Sequence, residues 1–218
     1  MGRTFIINNK STYHDFNLYL TDKSIARPEP KTNYIELDGA NGSLDLSEAL
    51  TGEIAYKDRA LKASFFCDEG NRLERERTLN ELTRMLHGKK VKIIEPDDLD
   101  HYYLGRAKIT NESNTLSHME FSIEAQCEPW RYAIEETSRI VETDTQEITK
   151  VVINNKGLRT VCPSINIVGN VNVIIGGVVN SLSTGDYKIS SLKLKHGYNI
   201  VDVSGSGTIT FKYREADI

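Results

Sequence analysis

Five histidines, three cysteines and one dense acidic run are the residues of this 218-residue chain best suited to chemistry. His14, His87, His101, His118 and His196 stand far apart, and none falls in an H-E-x-x-H or H-x-H pattern that would bring two imidazoles to one metal. The run Glu95, Asp97, Asp98 and Asp100 could gather oxygen ligands for calcium. It lacks the glycine and distal glutamate of an EF-hand loop, and with Pro96 it reads as a turn. Cys67, Cys127 and Cys162 are odd in number, widely spaced and free of any C-x-x-C pair, which argues against a disulfide framework or a zinc knuckle. They read as small buried hydrophobes. No nucleophile with a base in reach, and no pair of carboxylates on facing elements, is legible. The expectation is a chain without catalytic residues, metal or cofactor.

Three glycine-containing sites could suggest a phosphate cradle: Gly169-Asn170, Gly176-Gly177 and Gly205-Ser206-Gly207. None forms a G-x-G-x-x-G or Walker pattern, and no helix follows to offer its N-terminus. All three read as hairpin turns. Trp130, with Tyr132 and Phe121, could stack on a sugar or a base, but a lone Trp closing a core strand is more often a core plug or an interface anchor.

The elements that would hold these residues are mostly strands. From Ser117 to Cys127, Met119, Phe121, Ile123, Ala125 and Cys127 alternate with polar residues, giving one apolar face. Shorter signals fall at 4–7, 34–37, 54–66, 90–94 and 102–109, separated by turn clusters such as Asp38-Gly39-Ala40-Asn41-Gly42. One helix interrupts them over Asn71 to His87, where Leu73, Leu79, Leu82, Met85 and Leu86 recur at helical spacing, with Asn71 or Asp68 as cap and Gly88 as stop. The charged stretch 136–149 reads as a linker between a first domain, 1–135, and a second, 150–218. The second domain shows short strands at 151–154, 164–168, 171–175, 186–194, 199–203 and 208–213, which suggest a small all-β sandwich.

The net charge of −4 comes with basic residues scattered among acidic ones, so the electrostatic footprint of a nucleic-acid binder is missing. The opening MGRTFI has no apolar run of signal-peptide length and does not fit a myristoylation pattern, and no later stretch approaches the ~20 apolar residues of a membrane span. A soluble chain made in the cytosol is expected.

The segment from Ala26 to Gly52 resembles the N-terminal signature of distal tail proteins from phages with long non-contractile tails. In that signature a proline-containing stretch leads through a strand and a glycine turn into G-x-L-D-x-(S/T), here Gly42-Ser43-Leu44-Asp45-Leu46-Ser47. The helix after Phe65-Phe66-Cys67, the run His101-Tyr102-Tyr103-Leu104-Gly105-Arg106 and the close at Glu128-Pro129-Trp130 follow in the family's order. Asn154-Asn155-Lys156-Gly157, Cys162-Pro163-Ser164-Ile165, His196-Gly197-Tyr198-Asn199-Ile200 and Gly207 to Glu215 extend the similarity over essentially the whole chain.

The resemblance implies a mainly β subunit without enzymatic activity. Its first domain would be a β-sandwich with one helix and a protruding hairpin, and its second a galectin-like β-sandwich. Six copies would form a ring at the virion tail tip, between the tail tube protein on one side and tail-associated, fibre or receptor-binding proteins on the other. The large inserted carbohydrate-binding modules of some members look absent. A ring needs two different complementary patches on each subunit. Arg27, Pro28, Pro30, Tyr34, Ile35 and Leu37 are expected to supply one of them from an arm whose prolines discourage stray edge pairing. A mobile surface loop is the plain alternative for that segment. The competing function is a lectin-like module, which would need an exposed aromatic platform in the second domain, drawn from Tyr187, Tyr198, Phe211 and Tyr213.

Overall fold

Alternating apolar residues do become paired strands in the computed structural model, which describes residues 3–49 and 51–218 and, for Thr145 and Gln146, the backbone alone. Of the signatures read above, Met1, Gly2 and Leu50 lie outside the described residues. In chain order the elements are β1 (Ile6–Ile7), β2 (Lys10–Ser11), β3 (Tyr19–Ile25), β4 (Tyr34–Glu36), β5 (Ser43–Asp45), β6 (Arg59–Cys67), α1 (Arg72–Leu86), β7 (Lys90–Glu95) and β8 (Asp98–Asn114). Then follow β9 (Met119–Ala133), β10 (Thr137–Asn155), β11 (Ser164–Ile175), β12 (Val178–Leu182), β13 (Gly185–Tyr187), β14 (Gly197–Tyr213) and β15 (Ala216–Asp217). The chain divides into one unit up to Arg131, with Ile218, and a second from Tyr132 to Asp217.

The first unit is built on a sheet of order β2-β1-β7-β8-β9-β6-β3. Met119, Phe121, Ile123, Ala125 and Cys127 of β9 are all buried, as the alternation demands, and they face Leu61, Ala63 and Phe65 of β6 in the same core. β3 escapes the sequence pattern because Tyr-Leu-Thr-Asp-Lys-Ser-Ile is mostly polar. It is an edge strand with a register shift between Leu20 and Asp22, so few of its side chains need burial. β7 and β8 join through a two-residue turn, Pro96-Asp97, as the acidic run suggests.

Helix α1 starts on a capping box: the Asn71 side chain accepts from the Leu73 and Glu74 amides, while Glu74 accepts from the Asn71 amide. Leu79, Leu82 and Leu86 are buried as expected, but Leu73 is 60% exposed. Its expected place on the buried face is taken by Arg75, 2% exposed, whose guanidinium donates to the carbonyls of Gly70 (2.6 Å), Thr115 (2.9 Å) and Leu116 (3.1 Å). Arg75 thus ties the first helical turn to the β8–β9 connection with charge-assisted hydrogen bonds.

The second unit is one sheet of order β10-β14-β11-β12, with β13 also on β11. The stretch 137–149, read from sequence as linker, is part of β10 and pairs with β14 across a register shift between Thr145 and Thr149. Its charged side chains sit on an outward face, which is why it lacks a core signature. Gly169-Asn170 and Gly205-Ser206-Gly207 are not hairpin turns: they lie inside β11 and β14, where Gly169 pairs with Gly207 and Val171 with Gly205. On either side of them Ile165, Ile167, Val171 and Val173, and Val201, Val203, Ile209 and Phe211, share one buried face. A Cβ on Gly169 would stand 2.5 Å from the Ser206 carbonyl oxygen and 2.8 Å from Gly207 Cα. The glycines therefore form a crease where two long strands run too close for side chains. Gly176-Gly177 is the expected two-residue turn, joining β11 to β12 with φ of 55° and 81°.

Candidate functional site

Between Pro30 and Tyr56 the chain leaves the core of the first unit and returns. The base is clamped by the bridge Pro30–Tyr56, by the Lys31 amide donating to Ala55 (2.7 Å) and by the Lys57 amide donating to Glu29 (2.8 Å). Beyond it β4 and β5 form a two-stranded sheet of their own, in register Tyr34–Asp45, Ile35–Leu44 and Glu36–Ser43. The Leu46 amide donates to Asn33, and the Asn33 amide to the Ser47 hydroxyl, closing the open end of the hairpin. Hydrogen bonds from the Ser47 hydroxyl and amide hold the Asp45 carboxyl below the usual carboxylate range. That gives the Asp45 and Ser47 of the G-x-L-D-x-S motif a local task.

Every residue from Lys31 to Asp45 is exposed. Ile35 and Leu44 are directly opposed on one face, 42% and 49% exposed, and Tyr34, Leu37 and Ile54 are open by half or more. A lone two-stranded hairpin has little to stabilise it in water, and here its cross-strand apolar pair stands outside the core of its own unit. Of the six residues expected to contact a neighbour, Tyr34, Ile35 and Leu37 lie on this arm, and exposed Pro30 sits at its base. Arg27 is exposed before the base, whereas Pro28 is buried in its own chain and is not presented to a neighbour. Leu44 and Ile54 join the exposed set; sequence reading missed them because nothing local distinguishes an unburied Leu from a core one.

The residues suited to chemistry are dispersed and locally engaged. Among the described residues, no three His, Cys, Asp or Glu side chains gather in a way that could hold a metal ion. Three members of the acidic run are engaged: Asp97 by Lys23 (2.8 Å) and Arg3 (3.0 Å), Asp98 by Arg131 (3.2 Å) and the His101 ring nitrogen (2.8 Å), and Glu95 by Lys23. The hydrogen bond from Lys23 keeps Asp97 below its usual value; Asp98 is raised by burial but brought below it by His101 and Arg131. His87 Nδ1 accepts the Ile109 amide, His118 stacks on Phe66, and His196 Nδ1 lies 3.2 Å from the Gly157 carbonyl. Burial pushes the Cys127 thiol up to about 12 and raises Cys67. Cys162 is only half-buried, its thiol on the Ile189 carbonyl. Trp130 is half-buried, edge-on to Tyr56 at the base of the arm.

The aromatic platform a lectin would need is not displayed in the second unit. Phe211 and Tyr213 are core residues, and the Tyr213 hydroxyl donates to the Asn154 carbonyl; Tyr187 packs against that core, leaving Tyr198 exposed.

No family model and no curated protein matches the sequence. Among solved structures, the chain is similar to the SPP1 Dit (gp 19.1) protein, described as a paradigm of hub adsorption apparatus in phages that infect Gram-positive hosts. The TM-score is 0.69 at 16% identity, over 98% of this chain and 99% of that one. It also aligns with a chain of the phage p2 baseplate in its activated conformation with Sr, at a TM-score of 0.42 and 8% identity, over 97% and 98% of the two chains. The chain thus has the mainly β fold of the SPP1 Dit protein, in agreement with the distal-tail resemblance of its sequence. No helix among the described residues is long and apolar enough to cross a membrane.

Proposed function

We propose that this chain is a non-enzymatic structural subunit of a phage tail tip, a distal tail protein that assembles into a ring. The ring has six copies and acts as a hub at the tail tip of the virion, joining the tail tube protein to fibre, tail-associated and receptor-binding proteins. The subunit is made in the cytoplasm of the bacterial host. It needs no cofactor, nucleic acid or membrane. One observation carries the reading: on a fold shared with a phage hub protein, the arm from Lys31 to Asp45 is wholly exposed and holds an apolar cross-strand pair, Ile35–Leu44, that lies outside the core of its own unit. A cyclic ring is built from such unlike patches, an arm on one copy and its acceptor on the next.

The test is the solution mass by light scattering behind a sizing column, for the intact chain and for a variant in which residues 32–53 are replaced by a two-residue turn. The Lys31–Ala55 hydrogen bond already brings the cut ends together, so the variant keeps its fold. The intact chain is expected near six chains, alone or with tail partners added, and the armless variant at one. An armless variant that still forms rings refutes the role of the arm; an intact monomer that binds glycans on an array replaces the hub with the lectin.

A further inference from the structure

Asn41-Gly42 is the only Asn-Gly sequence in the chain, and it lies in the connection between β4 and β5, at the tip of the hairpin. Both residues are exposed. Gly42 has a φ of +77°, and nothing comes within 4 Å of the position a Cβ would take there. Within the connection the Ala40 amide donates to the Leu37 carbonyl (3.1 Å). Among the described residues, neither the Asn41 carboxamide nor the Gly42 amide has a hydrogen-bond partner. Asparagines elsewhere are held and precede larger residues. Asn71 caps α1 before Arg72, and Asn155, fully buried before Lys156, donates to the Arg159 and Leu194 carbonyls.

A carboxamide and the backbone amide that follows it can react with each other when both are free. The Gly42 nitrogen bonds to Asn41 Cγ, the Cγ–Nδ2 bond breaks, and ammonia leaves with the proton that Gly42 gives up. The product is a cyclic succinimide, which water opens at one of two bonds. Cleavage between the Gly42 nitrogen and Cγ gives aspartate. Cleavage between that nitrogen and the Asn41 carbonyl carbon gives isoaspartate, with the main chain routed through the side chain. Glycine favours ring closure because the closing torsions are ones that a Cβ on the following residue would crowd. An exposed loop tip reaches them without disturbing a core. We propose that Asn41-Gly42 is a self-modification site, where the free subunit converts Asn41 to aspartate and isoaspartate, and that a second copy covering the arm protects it. The product adds negative charge to a stretch, Thr32 to Ile54, that already holds Glu36, Asp38, Asp45, Glu48 and Glu53 and no Lys, Arg or His. Isoaspartate also lengthens the backbone between the paired Glu36 and Ser43. Modified arms therefore lose assembly. The protection rests on the ring reading above; the reaction does not.

The test is to age the purified chain in warm, mildly alkaline buffer and follow it by intact mass, by peptide mapping and by labelling with an isoaspartate methyltransferase. The mass is expected to rise by the difference between water and ammonia, with the change and the label confined to the peptide that holds Asn41. Asn71 and Asn155 serve as internal controls and stay unchanged. Gly42→Ala slows the reaction about tenfold, and Asn41→Ser abolishes it. If Asn41 survives as long as Asn71 and Asn155, or if Gly42→Ala reacts as fast as wild type, the site is refuted. Ring and monomer fractions from a sizing column, aged separately, judge the second half. The ring fraction is expected to keep Asn41 intact, and aged wild-type monomer to assemble less than aged Asn41→Ser. Equal rates in the two fractions, or equal assembly after ageing, refute protection and leave the reaction standing. A chain that is always monomeric refutes the ring alone, because the mass and the label still judge Asn41.

Discussion

The two units close their cores in different ways. In the first, a sheet is covered by a helix, and the fit depends on Leu79, Leu82, Leu86 and the Arg75 clamp. In the second, one sheet supplies both walls by folding at a crease of glycines, with the same strands contributing core residues on each side. A core covered by a separate element is sensitive to the contacts of that element, whereas a creased sheet is sensitive to single backbone positions. The contrast extends to the surface: the first unit releases a hairpin whose residues from Lys31 to Asp45 are all exposed.

The largest effect expected is at the crease. Gly169 has φ of +109° and backbone of β14 within 2.8 Å of any Cβ, so Gly169→Val should cost more than ~3 kcal/mol. Hydrogen exchange should show amides of the second unit losing protection while those of β6 and β9 keep theirs. Gly176→Ala, at an open turn, should cost only about 1 kcal/mol, and equal effects at the two glycines would remove the crease from the account. Next comes the helix cover: Leu82→Ala should lose about 3 kcal/mol by denaturant titration, and Arg75→Met a smaller amount by removing the hydrogen bonds that tie the first helical turn to the Thr115 and Leu116 carbonyls.

A smaller effect follows from Lys23. Asp97 is depressed below its ordinary 3.8, so its contribution is present above that value and is lost as pH falls through the lower folded value. Burial disfavours the Lys23 charge, but its hydrogen bonds to Asp97 and Glu95 raise it above 10.5 overall; its contribution is present below that value and lost as pH rises through the higher folded one. Lys23→Met should therefore flatten the melting temperature at both the acid and the alkaline edge, and an unchanged pH profile would count against the cluster. The smallest effect on stability belongs to the arm: Ile35→Asp with Leu44→Asp should change it by no more than ~0.5 kcal/mol while abolishing assembly. A large loss of stability there would mean that the pair is core.

Much of the first unit was legible because local rules and the fold agree. Period-two alternation identified β9, a cap and apolar spacing identified α1, and a proline with acidic residues marked the β7–β8 turn. The same rules misread the second unit, where a glycine inside a long strand and a glycine in a hairpin look alike in sequence; the difference lies in whether another strand's backbone occupies the Cβ position. The charged stretch before Lys150 lacked a core signature because one of its faces meets water, although its backbone pairs with β14 on both sides of a register shift. For the candidate site, the sequence by itself determined the arm's composition, its turn residues and its resemblance to a known tail signature. Only the tertiary structure decided that Ile35 faces Leu44 outside the core and that Pro28 is inside. Burial is a property of distant segments brought together, and no local pattern of residues encodes it.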